Sequence, residues 1–302
     1  GRAGRVPGPA YRPGVTRARF PAALLAGALL LAGCTDDTPA ADRDDTASTG
    51  VPTAPTTVVA PTTPTTTPPP TSAAAPRPVP DGGLGVVVVG DSVMFDAEAA
   101  ISAALEATGA VTATNAAVFG LGFSDAAAVP LAEGADELLG RAPAQQVVVM
   151  VGSWDHLAVQ RDPEAYAEAV RAGLARLADG GRRVLVLGEP PSEPAKGEES
   201  VRAALDAVLQ EAVADQPGAR FLDSGTIIGD AEGRYVRSGP DGLLRKPDGR
   251  HLCPAGAARF GDAVLEALRQ DWDLPPADAA WRSGDWRADP RYDDPVGACA
   301  EG

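Results

Sequence analysis

Leu84-Gly85-Val86-Val87-Val88-Val89-Gly90-Asp91-Ser92 is the stretch on which the fold turns. Four consecutive valines bounded by glycines show no alternation of apolar and polar positions, so both faces of the segment seek burial. That is the pattern of a central strand in a parallel sheet. Gly90-Asp91-Ser92 ends the run and stands before a helical pattern that begins near Phe95. Ligands and reactive groups of open parallel sheets gather outside the carboxyl ends of the strands. A serine there, at the mouth of a helix, has free backbone N–H groups beside it and is a candidate for chemistry. Ser and Asp are also favoured helix N-caps, and the tripeptide alone does not separate the two roles.

Working outward, similar runs lie at residues 147–151 and 184–187, with weaker ones at 111–114 and 220–222. Helical stripes separate them. Tyr166, Val170, Leu174 and Leu177 recur at steps of three and four after Pro163, and Gly180-Gly181 closes that segment. Val201, Leu205, Val208 and Leu209 form a second stripe, and Ala257, Phe260, Val264 and Leu268, after Pro254, a third. Strands alternating with helices predict an α/β fold, a three-layer α/β/α sandwich with a central parallel sheet. The roughly 190 residues involved are enough for one domain with a full core. Beyond residue 271 the chain turns irregular, yet it holds three of the four tryptophans (Trp272, Trp281, Trp286). Such a segment is expected to pack back on the domain.

The chain has 302 residues, with 26 basic against 41 acidic side chains and a net charge of −15. Residues 1–34 hold five Arg and no acid, so the acidity falls on the remainder. A folded part this acidic is a poor partner for nucleic acid or an anionic membrane surface. Two His and three Cys are too few for a Cys/His zinc site.

Arg12, Arg17 and Arg19 precede an apolar run at 22–32 that contains Leu24, Leu25, Leu29, Leu30 and Leu31. This is the layout of a secretory signal, and it falls short of the ~20 residues a membrane-crossing helix needs. It ends in Leu31-Ala32-Gly33-Cys34, which resembles a bacterial lipobox. The resemblance implies lipidation of Cys34 and anchoring on the outer face of the cell membrane. An ordinary signal with a chance cysteine is the alternative. Residues 35–80, rich in Thr and Pro, cannot build a core and read as an extended spacer. The expected organisation is therefore 1–34 signal, 35–80 linker, 81–271 folded domain and 272–302 extension. With Cys34 lipidated, Cys253 and Cys299 remain as a disulfide candidate in an oxidising compartment, against two free thiols.

Near the far end of the domain stands Asp248-Gly249-Arg250-His251, just before the last helix. A serine hydroxyl is a weak nucleophile until a neighbouring base takes its proton, and a third group must fix that base's tautomer. Ser92, His251 and Asp248 can fill those roles. A surface His and Asp in a polar loop is the bland alternative, set against how rare His is in this chain.

At these two blocks the chain resembles the SGNH (GDSL-type) hydrolase superfamily, over roughly residues 84–269. The resemblance implies a flavodoxin-like sandwich with Ser92 as nucleophile, His251 as base and Asp248 as its orienting partner. It also implies an oxyanion hole of three donors: the Ser92 amide, a Gly amide and an Asn side chain. Asn115-Ala116-Ala117-Val118-Phe119-Gly120 matches the family's Gly block at its ends, so Gly120 is the choice and Gly122 the second. The Asn block departs: Gly152-Ser153-Trp154-Asp155 carries Trp154 where the family carries Asn. Either the indole N–H substitutes, or the hole has two donors, or catalysis is lost; one missing donor typically costs about 2.7–4 kcal/mol in the barrier. Asp155 is expected to support its loop and His156 to be structural or solvent-facing, while 189–199 reads as a substrate loop or a solvated linker.

The function implied is a serine esterase removing, or transferring, a short acyl group such as O-acetyl on a cell-envelope glycan. It would need no metal or organic cofactor and act as a lipid-anchored monomer. An O-acyltransferase with the same triad, and a non-catalytic glycan-binding lipoprotein, are the rivals.

Overall fold

A computed structural model of the chain describes residues 75–300. The signal-like run and Cys34 lie outside the described residues. The valine run forms β1, Leu84–Gly90, which passes within one residue into α1, Ser92–Glu106. β2 follows at Val111–Asn115, then a short parallel pair, β3 (Leu121–Gly122) and β4 (Val129–Pro130). α2 (Leu131–Gly140) leads to β5 (Gln146–Met150), α3 (His156–Arg161), α4 (Pro163–Ala178) and β6 (Arg183–Leu187). The remainder is α5 (Glu199–Asp215), β7 (Ala219–Leu222), α6 (Ser224–Ile228), the hairpin of β8 (Ser238–Gly239) and β9 (Gly242–Leu243), and α7 (Pro254–Asp271).

The central sheet has the order β2-β1-β5-β6-β7, and every pairing is parallel. This is the flavodoxin-like order, whose direction of winding reverses between β1 and β5 and leaves a crevice beyond their carboxyl ends. Burial follows the pleat. Val86 and Val88, with Val148, Met150, Leu185 and Leu187, face a core closed by Ile101 and Leu105 of α1 and Phe260 and Val264 of α7. Val87 and Val89, with Val147, Val149 and Val186, face Tyr166, Val170 and Leu174 of α4 and Leu205 of α5. A strand buried on both sides explains the unbroken apolar run.

Local chemistry sets the element ends. The Asp162 side chain accepts from the Ala165 amide and Pro163 opens α4, while Gly180, at φ +70°, turns the chain after it. The helix expected near Phe95 starts at Ser92, because Asp91 supplies its cap.

The segment after α7 packs into the first core as three short 3₁₀ turns, with Trp272, Trp281 and Tyr292 buried. The Trp272 indole donates to Gln146 Oε1 at 3.1 Å, and the Tyr292 hydroxyl to the Asp96 carbonyl at 2.8 Å. Cys253 and Cys299 are joined by a disulfide.

Candidate active site

Two neighbours at the end of β1 divide their labour. Asp91 caps α1, its Oδ1 accepting from the Val93 amide at 2.9 Å. Ser92 is thereby released from capping, and its Oγ lies 2.9 Å from Nε2 of His251. The other imidazole nitrogen, Nδ1, lies 2.5 Å from Asp248 Oδ2. Asp248 uses its second oxygen within the loop, accepting the amides of Arg250 at 3.0 Å and His251 at 3.1 Å. Gly249 permits this turn at φ +71°, and a Cβ there would strike Glu193. Partial burial raises the Asp248 pKa, but the His251 ring and the two amides outweigh it and hold the carboxyl well below its usual range. It is thus an anion, hydrogen-bonded to the imidazole ring. Ser92, His251 and Asp248 are thus linked in one hydrogen-bonded chain, although His251 lies 159 positions after Ser92.

The loop carrying Asp248 and His251 is held from three sides. Asp96, buried on α1, accepts from Lys246 Nζ at 3.1 Å and from the Leu252 amide at 2.9 Å. Arg245, fully buried, donates to the carbonyls of Arg250 and Pro191, each at 2.9 Å. Burial pushes its pKa down to about 10, against the opposing charge of Asp248. The Glu193 amide donates to the Gly249 carbonyl at 3.0 Å, and Arg250 pairs with Glu198 and, at 3.5 Å, with Glu189. Segment 189–199 thus braces the histidine loop through Glu189, Glu193 and Glu198, while residues 194–197 stay exposed.

Past β2, the amides of Ala116 and Val118 donate to the carbonyls of Val88 and Gly90, both at 2.8 Å, so the chain follows the edge of β1 toward the crevice. Gly120 comes next, at φ +89°. Gly122 has a packing reason of its own, since a Cβ there would lie 2.6 Å from Asp155 Oδ1. Asp155, fully buried, accepts from the amides of Phe123 and Ser124, both at 2.9 Å, and from the Ser124 hydroxyl at 2.7 Å. Burial raises its pKa against those hydrogen bonds. It ties the turn after β5 to the loop after β2.

Trp154 itself is 45% exposed, and its indole N–H meets no acceptor among the described residues. His156 is structural rather than solvent-facing, its Nε2 lying 2.6 Å from Glu189. Glu189, almost wholly buried, also accepts from the Ser153 hydroxyl at 3.2 Å. It joins the β5 turn to the histidine loop, a role that sequence reasoning missed.

These elements open on a cleft of about 420 Å³ holding Ser92, His251 and Asp248, with Phe95, Phe119 and Trp154 in its lining. Lys246 and, from the extension, Arg291, Asp294 and Pro295 also line it. The extension was expected to cover the domain, and its share in the cleft was not foreseen. The one signal for it was Cys253, two positions after His251, paired with a cysteine near the end of the chain. A larger cavity, of about 660 Å³, lies among β7, α6 and α7 and holds no member of the serine–histidine–aspartate cluster.

The family model described as "Protein of unknown function (DUF459)" matches residues 85–267. No curated protein matches the chain. Among solved structures it is similar to an alpha/beta hydrolase enzyme from the metagenome of Lake Arreo, Spain, at 19% identity and a TM-score of 0.49, covering 66% of this chain and 99% of that one. It is also similar to an acetylxylan esterase from Geobacillus stearothermophilus, at 12% identity and 0.48, covering 65% and 96%. A third is the catalytic domain of a Streptococcus pneumoniae peptidoglycan O-acetyltransferase, at 18% and 0.41, covering 64% and 97%.

Proposed function

The chain belongs to the family described as "Protein of unknown function (DUF459)", and from that premise we propose that it is an SGNH-type serine esterase acting on a short acyl ester, such as O-acetyl, of a cell-envelope glycan. The observation that carries the proposal is the pair of hydrogen-bond distances, 2.9 Å and 2.5 Å, linking Ser92 to His251 and His251 to Asp248. In this proposal His251 Nε2 takes the hydroxyl proton as Ser92 Oγ attacks the acyl carbon. Asp248 keeps the other proton on Nδ1. The imidazolium then protonates the departing sugar oxygen, leaving an acyl-serine, and a water activated the same way releases the acid. The amides of Ser92 and Gly120 and the indole N–H of Trp154 are the proposed oxyanion donors. If a sugar hydroxyl replaces the water, the same groups perform transfer.

Support for anchoring outside the cytoplasm comes from Leu31-Ala32-Gly33-Cys34 and the basic, apolar stretch before it. Metabolic labelling with a fatty-acid probe is expected to mark the unsubstituted chain and not Cys34→Ala.

A fluorophosphonate probe tests the chemistry. The unsubstituted chain should label, Ser92→Ala should not, and His251→Ala should label far more slowly. A chain that stays unlabelled favours the rival reading, a binding protein that keeps the fold. Acetyl-donor consumption that depends on an added glycan acceptor would mark transfer instead of hydrolysis.

A further inference from the structure

An esterase recognises the alcohol side of its ester as well as the acyl side, and the cleft lining bears on which alcohol fits. We propose that Trp154, Phe119 and Asp294 form a subsite for the alcohol moiety, and that this moiety is an uncharged sugar ring. The inference rests on the esterase proposal and deepens it, because an envelope glycan can be neutral or acidic.

Aromatic exposure is the first observation. Tyr166, Phe260, Trp272, Trp281 and Tyr292 are all buried, whereas Phe119 and Trp154 are 63% and 45% exposed and line the cleft beside Ser92. Phe119 is held in place edge-on to Phe95, with ring centroids 5.0 Å apart. Water-facing aromatic surface next to a nucleophile has no packing role. A pyranose presents apolar C–H groups on its ring face and hydroxyls around its edge, so it covers such a surface while its polar groups stay solvated. An indole can serve twice, since its N–H lies in the ring plane and its stacking face is perpendicular to that plane.

Charge is the second observation. Both cations of the lining are consumed: Lys246 by Asp96, and Arg291 by Glu98, the Phe95 carbonyl and the Phe95 ring beneath its guanidinium. Asp248 is engaged by His251. Asp294 is the lining carboxylate that meets no partner among the described residues. A free carboxylate accepts hydroxyl donors well and repels an anion brought into the same cleft.

Position is the third. Buried Tyr292 and the Cys299 disulfide hold the segment carrying Asp294 on either side of it. The Asp293 side chain accepts from the Gly297 amide at 2.6 Å, and the Ala298 amide donates to the Pro295 carbonyl at 2.9 Å. The carboxylate is thus presented by fixed backbone, which reduces the ordering cost of binding.

Calorimetric titration of the full chain bearing Ser92→Ala, with a neutral β-1,4-linked tetrasaccharide and with a tetrameric oligogalacturonate, tests the subsite. The neutral sugar is expected to bind at least about tenfold tighter than the uronate, the scale of one hydrogen bond to a charged group. Asp294→Ala should weaken the neutral sugar by about tenfold. Asp294→Lys should bring the uronate up to or past it, and Trp154→Ala should lose binding that Trp154→Phe keeps, with circular dichroism verifying each fold. Equal affinity for both sugars, binding of neither, or an Asp294→Ala protein that binds unchanged would overturn the subsite. The esterase proposal is judged separately, by fluorophosphonate labelling of the unsubstituted chain.

Discussion

Asp91 and Ser92 show how one peptide step separates a helix cap from the proposed nucleophile. Asp91 is almost wholly buried, and that burial, with the Glu189 charge adding to it, pushes its pKa up to about 6 despite the Val93 and Met94 amides. Unfolded, the carboxyl titrates near 3.8, so between about pH 4 and 6 the folded chain holds a proton the unfolded chain has released. Stability from this group is therefore complete below pH 4 and is lost as pH rises through 6. Asp91→Asn keeps a capping acceptor and has no proton to lose. Urea denaturation should show the variant's stability falling less between pH 4.5 and 8, with a gain of about 2 kcal/mol at pH 8. Trp154 offers a second test, because phenylalanine keeps the ring and removes the donor. Trp154→Phe should lower kcat for a short aryl ester by about a hundredfold, the value of one oxyanion donor. An unchanged kcat would mean that the two backbone amides hold the charge alone.

The loop from Lys246 to His251 is the element on which the proposed base depends. Its aspartate and histidine were legible in sequence because they sit three positions apart in one turn. Its braces were not: Asp96 lies 150 positions from Lys246, and Pro191 lies 54 from Arg245. No local pattern marks such partners. Lys246→Ala would leave Asp96 buried and unpaired, a change that costs about 3–5 kcal/mol. Thermal unfolding should show that loss, and Asp96→Asn combined with Lys246→Met should recover part of it by removing both charges together. Segment 189–199 teaches the same lesson. Its polar composition reads as solvated, yet Glu189 is buried because His156, Ser153 and Arg250 converge on it.

The chain as a whole uses its last thirty residues to finish the cleft. The Cys253–Cys299 bond closes a loop of 46 positions that contains α7 and the three 3₁₀ turns. On the chain-entropy model such a loop is worth about 4 kcal/mol. Cys299→Ser should therefore melt well below the parent. It should also bind the neutral tetrasaccharide more weakly, because the segment carrying Asp294 loses one of its two ties, while fluorophosphonate labelling of Ser92 persists. Labelling lost together with sugar binding would mean that the bond supports the histidine loop itself.

The valine run, the alternation of strands and stripes, and the placing of a serine after the first strand were determined by sequence alone. They are local averages: a period of two or of 3.6, or a stretch apolar on both faces, is written into adjacent residues, and solvent exclusion reads it wherever the segment lies. Which carboxylate Lys246 meets, whether Trp154 is covered, and that Asp294 reaches the cleft were decided only by tertiary structure. Those outcomes depend on how distant segments close on one another, and a pair potential between residues 150 positions apart leaves no trace in the order of either one's neighbours.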